Sequence, residues 1–337
     1  MTGKKGKNHF DRVKLFLRIA ISTILIVYLF RMIDLKAALD ILKEASFLYI
    51  LLAFAAIQIT VASSVVKWML LVHPYRRTYG HDVSIHRLGR LYYVGLFFNN
   101  FLPGSVGGDV VRVLSLGKTT GMALAAASVA LERLTGGIAL VAIVVFSAFY
   151  VDHARTYIFS VLAIIVLAII LYFLFKFFVK KGRENLAEKG KIHRQSRFIH
   201  SVRKGLFRTG ETFLEYRNES WKWWGVVLFL SFLFQIGMAW INYYLFLSFG
   251  VQVPLIDLLV IITIISVLTM IPVSLNGIGV REGGYVFFFT KLGVPEEISL
   301  SVSLLFLILV TISSLAGGVF WLMERGRKVE ALREQSY

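Results

Sequence analysis

Blocks of about 20 apolar residues alternate with short basic stretches along the chain, the helix length needed to cross the roughly 30 Å hydrocarbon core of a bilayer. The pattern predicts full spans at Lys14–Ile33, Phe47–Leu71, Gly136–Val151, Tyr157–Val179, Trp221–Phe249 and Ile298–Met323. Two other apolar stretches, residues 91–134 and 255–291, are interrupted in mid-course. The first contains Phe-Phe-Asn-Asn-Phe-Leu-Pro-Gly-Ser-Val-Gly-Gly-Asp and the second Ile-Pro-Val-Ser-Leu-Asn-Gly-Ile-Gly-Val-Arg-Glu. Pro and clustered Gly break helices, and broken backbone at membrane depth survives only inside protein or beside a wet cavity. Each stretch is expected to be a helical hairpin that dips into the membrane and returns. The fold class is therefore an all-α polytopic membrane protein with about six full transmembrane helices and two broken or re-entrant hairpins.

The two breaks share a pattern. Aligned on proline, Pro103, Ser105, Gly108, Val111 and Arg112 meet Pro272, Ser274, Gly277, Val280 and Arg281, so both read Pro-x-Ser-x-x-Gly-x-x-Val-Arg. Three predicted spans lie between them, an odd number. If one hairpin enters from the cytoplasm, the other enters from outside, the arrangement of an inverted repeat that places a site near the midplane.

Charge orients the chain. Residues 1–13, 74–90, 180–220 and 324–337 hold 4, 4, 11 and 4 Lys and Arg, whereas 34–46, 151–156, 250–253 and 291–297 hold 2, 1, 0 and 1. Basic loops stay in the cytoplasm, so residues 1–13 form a cytoplasmic basic N-terminus, 14–323 the membrane domain and 324–337 a cytoplasmic tail, with both termini inside a cell (inner) membrane. Within 180–220, Ile199, Val202, Leu206, Phe207 and Phe213 approach helical spacing among the basic residues, as expected of an amphipathic helix on the cytoplasmic leaflet, a solvated linker being the alternative.

Composition agrees: the chain is 57% hydrophobic and 17% charged, with a mean hydropathy of +0.71. It has no cysteine, which excludes disulfides and Cys-based metal sites. A net charge of +17 could suit nucleic acid, but no nucleic-acid module is present and the basic residues sit in loops, as topology signals and contacts to anionic headgroups. His73, His81 and His86 lack metal-ligand spacing, and no nucleophile elbow or nucleotide-binding loop occurs. No cofactor, metal or catalytic residue is expected.

The charges within the apolar stretches are the candidate chemistry, because each costs about 2.5–3.5 kcal/mol or more at membrane depth. They are Asp109, Arg112, Glu132, Arg133, Arg281 and Glu282, with Lys67 toward the end of its span. Adjacent residues diverge on a helix, so Glu132–Arg133 and Arg281–Glu282 are expected to pair elsewhere: Arg281 with Asp109 or Glu132, and Glu282 with Arg112 or Arg133. Asp109 and Arg112, three apart, allow a same-face pair. Guanidinium forks suit phosphate. Gly108 and Gly277 admit close backbone approach, and Asn99, Asn100, Ser105, Ser274 and Asn276 can hydrogen-bond a headgroup. These residues form the expected substrate site; locking of the bundle by the ion pairs is the alternative.

Phe98 to Gly104, Gly107 to Arg112, Glu132-Arg133 and Ile271 to Gly283 together resemble the lysylphosphatidylglycerol synthase transmembrane, or flippase-like, family, over roughly residues 12–326. The resemblance implies a lipid flippase-like fold and a phosphate-bearing lipid: a phospholipid, aminoacyl-phospholipid or polyprenyl-phosphate type. Only 14 residues follow Met323, so no aminoacyl-transferase domain is expected, and the protein should not be an enzyme. The leading expectation is a transporter moving an anionic or zwitterionic membrane lipid between leaflets, downhill or ion-coupled through Asp109, Glu132 or Glu282. A second is a non-catalytic accessory that binds lipid and recruits a lipid synthase or glycosyltransferase through residues 180–220. A third is an intramembrane lipid-modifying enzyme using Glu132 or Asp109.

Overall fold

A computed structural model describes residues 43–73, 83–101, 107–147, 212, 216–270 and 277–334. Eight α-helices cover most of them: α1 (Phe47–Val72), α2 (Ile85–Phe101), α3 (Gly107–Thr120), α4 (Met122–Ser147), α5 (Trp221–Ser248), α6 (Leu255–Met270), α7 (Val280–Thr290) and α8 (Glu296–Glu334). Among the described residues there is no strand. The expected spans at Lys14–Ile33 and Tyr157–Val179, and most of the basic 180–220 segment, lie outside them.

Helix length separates two classes. α1, α4, α5 and the Glu296–Glu324 part of α8 have 26, 26, 28 and 29 residues and are apolar enough to cross a membrane. At about 1.5 Å per residue each exceeds 35 Å. α2, α3, α6 and α7 have 17, 14, 16 and 11 residues, roughly 26 Å down to 17 Å, too short to cross alone. These short helices are hairpin arms. α2 packs on α3 and α6 on α7, and Arg87 Nη2 donates to Thr119 Oγ1 at 2.6 Å, bringing the start of α2 beside the end of α3.

The hairpins enter from opposite ends of the bundle. α1 and α5 run antiparallel: Ser46 N donates to Ser248 O at 2.8 Å at one end, and the Tyr216 hydroxyl donates to Leu71 O at 2.5 Å at the other. The first hairpin follows the C-terminal end of α1. The second follows the C-terminal end of α5, beside the start of α1. It returns to that end, where the Phe289 ring of α7 packs at a tilt against that of Phe246 of α5, centroids 4.5 Å apart. The opposed entry is the inverted arrangement expected from the sequence, although one of the three spans counted for it, Tyr157–Val179, lies outside the described residues.

One boundary differs from expectation. The returning arm of the first hairpin ends at Thr120, not Leu134, and α4 runs unbroken through Gly136 and Gly137. Two glycines in an apolar helix interior cost only about 1 kcal/mol each relative to alanine, and neither meets a neighbour that would force a bend. The break is Gly121, whose φ of 83° is a left-handed conformation suited to glycine. Its N–H donates to Gly117 O at 3.0 Å, closing α3 before α4 begins.

The core is built where helices approach closely. Trp68, Leu88, Leu245, Leu258, Tyr285 and Phe289 are almost wholly buried there. α8 crosses α2 at Gly317, where a Cβ would strike the carbonyl of Tyr93. Polar ties reinforce this crossing: Tyr93 OH donates to Gln58 Oε1 (2.6 Å), Gln58 Nε2 to Ser313 Oγ (3.0 Å) and Asn100 Nδ2 to Ser314 Oγ (2.8 Å). In lipid such small-residue crossings and interhelical hydrogen bonds carry association, because hydrocarbon gives no hydrophobic drive. Gly317→Val should therefore destabilise the detergent-solubilised protein by about 1–3 kcal/mol, the range for overpacking. Gly137→Ala, with no atom within 4 Å of its added methyl, should leave the melting curve unchanged or raised.

Candidate functional site

Four charges at the seam between the first hairpin and α4 form two layers. In the inner layer Arg112 of α3 donates through Nη2 to Glu132 Oε2 of α4 at 2.5 Å, and Tyr92 OH of α2 donates to Glu132 Oε1 at 3.1 Å. Arg112 is only 4% exposed. Its guanidinium carbon lies 4.0 Å from the Trp68 ring centroid and 4.3 Å from that of Tyr92. Cation–π contacts of this kind contribute about 0.5–2 kcal/mol. Trp68 is in turn fixed by Nε1–H donation to Ser128 Oγ at 3.2 Å. In the outer layer Arg133 grips Asp109 with two bonds, Nε to Oδ2 at 2.8 Å and Nη2 to Oδ1 at 3.0 Å. The Arg133 side chain is 50% exposed and marks the accessible edge of the cluster.

Local sequence explains this geometry. Asp109 and Arg112 share a face of α3 and lie 3.5 Å apart, as their spacing requires. Glu132 and Arg133, adjacent on α4, do diverge: one turns inward to Arg112, the other outward to Asp109. Gly95 and Gly108 let α2 and α3 touch backbone to backbone; a Cβ on Gly108 would strike the Gly95 carbonyl, and one on Gly95 would meet Cγ and Cδ of Arg112. Asn99 accepts the Gly108 N–H at 2.7 Å, satisfying a donor at the start of α3 from across the break. Asn99 and Asn100 are thus engaged in holding the hairpin, Asn100 through Ser314.

The second hairpin holds a smaller cluster. Arg281 donates to Glu282 Oε1 through Nη2 (2.7 Å) and Nε (3.1 Å), while Glu282 Oε2 accepts the Gly279 N–H at 2.6 Å. The guanidinium carbon of Arg281 lies 5.9 Å from the Phe306 ring centroid, and Tyr285 OH donates to Asn242 Oδ1 at 2.6 Å. Gly277 is buried beside Thr269, with φ 75°.

The expected cross-hairpin pairs do not form. Arg281 bonds neither Asp109 nor Glu132, and Glu282 bonds neither Arg112 nor Arg133; among the described residues the ion pairs of these six charges lie within α3, between α3 and α4, or within α7. The neighbours Arg281 and Glu282 were expected to diverge, yet they pair. Glu282 reaches back to the Gly279 N–H in the first turn of α7, so its carboxylate sits at the helix start, where the long Arg281 side chain folds onto it. Arg112 lies one turn deeper in α3, within reach of α4 instead. Ser105, Ser274 and Asn276 fall outside the described residues.

Lys67 belongs to the first cluster. Only 4% exposed, it donates to Glu132 O at 3.4 Å and Ser231 Oγ at 3.3 Å. Its charge in an apolar span was the available signal. Trp68 and Tyr92 gave none, since aromatic residues in such a chain default to packing. Among the described residues no group of three His, Cys, Asp or Glu converges as metal ligands would.

A family model described as "Lysylphosphatidylglycerol synthase TM region" matches residues 15–318, taking in both hairpins and their charges. A UPF0104 membrane protein of Pyrococcus horikoshii is 26% identical over 333 residues, covering 93% of this chain and 98% of that protein. A UPF0104 membrane protein of Methanothermobacter thermautotrophicus is 24% identical over 280 residues, covering 77% and 80%. With the matched region running through all eight described helices, this chain is a membrane protein that belongs to the lysylphosphatidylglycerol synthase TM region family.

Proposed function

We propose that the protein moves a phosphate-bearing lipid between membrane leaflets, its headgroup passing along the polar hairpins while its tails stay in lipid. The observation that carries this reading is the first-hairpin cluster: Lys67, Arg112 and Arg133 against Asp109 and Glu132, inside helices otherwise built for hydrocarbon. Charges so placed are costly and default to substrate pathways. Guanidinium groups match phosphate oxygens in a planar, two-pronged geometry. Hairpins entering from opposite ends support alternating access, in which one repeat rocks against the other about a central site. Family membership supports the lipid bilayer as the setting.

Fluorescent-lipid flux in proteoliposomes tests the proposal. Arg112→Gln and Arg281→Gln, at matched reconstitution, should each slow flux by about tenfold or more, the cost of losing roughly 1.4 kcal/mol of headgroup binding at the barrier. Arg→Lys at either position should recover part of the rate, because lysine keeps the charge but not the fork. Wild-type flux in all four variants would remove the reading. Stability should respond differently. Glu132→Gln strips the carboxylate from a buried guanidinium and should cost about 3–5 kcal/mol in thermal unfolding. Asp109→Asn, opposite the half-exposed Arg133, should cost less than Glu132→Gln, because Arg133 can turn to solvent.

A further inference from the structure

The sequence pointed to Asp109, Glu132 and Glu282 as groups that could couple transport to an ion, and the structure gives each of them a guanidinium. Glu132 accepts from Arg112. Asp109 accepts from Arg133 and lies 3.5 Å from Arg112, and Glu282 accepts from Arg281. Arginine does not give up its proton inside a protein. Protonating any of these carboxylates would strip an ion pair from a guanidinium that stays charged, which is costly away from water. Lys67 is placed differently. It is the lone charge of α1, five residues before the helix ends at Val72, and among the described residues it makes no ion pair. Its ammonium meets only Glu132 O and Ser231 Oγ, and both have other duties. Glu132 O accepts from Thr135 Oγ1 at 3.2 Å, and the Ser231 hydroxyl donates to Val227 O at 2.9 Å.

The charged groups that face Lys67 come from two helices, Glu132 and Arg133 from α4 and Arg112 from α3. Tyr92 of α2 reaches the same Glu132 carboxylate, and α5 offers the Ser231 hydroxyl. With Lys67 as an ammonium, three cations stand beside the two carboxylates of Asp109 and Glu132; with Lys67 as an amine, the count is two and two. A buried lysine can lose its proton where an arginine cannot. Ser231 suits both states: its oxygen accepts from the ammonium, and its O–H, turned away from Val227 O, donates to the lone pair of the amine. We infer that Lys67 is the proton carrier of this protein, its amine taking a proton from hydronium as a phosphate headgroup enters and its ammonium returning that proton to water on the other side as the headgroup leaves. The negative charge of the phosphate offsets the added positive one, so proton and lipid load together, one of each per cycle. Ionisable residues inside a membrane serve as proton relays in pumps and transporters. The inference rests on the transport reading for the lipid and adds the ion that drives it.

Two measurements on the full chain test it. In proteoliposomes with the membrane potential clamped, a pH difference of about one unit should concentrate fluorescent phosphatidylglycerol about tenfold in the leaflet on the alkaline side, the ratio that one proton per lipid sets. A protonophore should abolish that difference. In unbuffered detergent solution, short-chain phosphatidylglycerol should draw up to about one proton per protein, read by a pH dye, because binding and protonation are reciprocal. Lys67→Gln, which cannot titrate, should lose both signals. Lys67→Arg should lose them too, although a role confined to positive charge would survive that change. Lys222→Gln, on an exposed residue at the start of α5, should keep both. Either signal persisting in folded Lys67→Gln or Lys67→Arg overturns the inference; if those variants fail to fold, the two signals in the native protein decide. Flux that equilibrates the lipid without accumulation overturns the inference and spares the transport reading. Proton uptake without flux does the reverse, and the absence of both sinks both.

Discussion

Arg112 and Glu132 meet in a place where neither can stand alone, and much of the bundle follows from keeping them together. A guanidinium and a carboxylate withdrawn from water each lose several kcal/mol of solvation, which their attraction recovers only with good geometry and satisfied neighbours. The neighbours come from three other directions: Tyr92 on the carboxylate, Trp68 against the guanidinium, and Ser128 holding Trp68. α1, α2, α3 and α4 thus converge on one ion pair. An apolar contact of similar volume is often as stable as such a pair or more so.

The close helix crossings serve the same end. Long arginine side chains need backbone near enough to confine them, and Gly95 provides it by leaving the aliphatic stem of Arg112 lying against α2. Gly317 does the equivalent for α8, bringing Ser313 and Ser314 within hydrogen-bonding reach of Gln58 and Asn100. Small residues set the distances at which polar groups act.

The sequence made the architecture readable because hydrocarbon imposes strict length rules. Spans such as Phe47–Leu71 and Trp221–Phe249 stood out, and Pro with clustered Gly located both breaks. The repeated decapeptide with an odd span count gave their opposed orientation. Gly136–Gly137 misled, since composition cannot tell a tolerated glycine pair from a break, whereas a lone Gly121 with positive φ ended α3. Site membership was partly legible through charge: Asp109, Arg112, Glu132 and Arg133 do converge. Their pairing was not, because it depends on how deep each arginine sits in its helix. Nor was the role of Asn99, whose contact with Gly108 exists only once the hairpin has closed.

That closure decides which surfaces can slide. The two arms of the first hairpin are joined backbone to backbone at Gly95 and Gly108, laced by Asn99 across the turn and by Arg87 at the open end. With no clearance between them, the two arms are held against sliding along each other. The hairpin's edge against α4, by contrast, is tied by the side-chain ion pairs Arg112–Glu132 and Arg133–Asp109. On the transport reading proposed above, this seam between the first hairpin and α4 is where a headgroup enters.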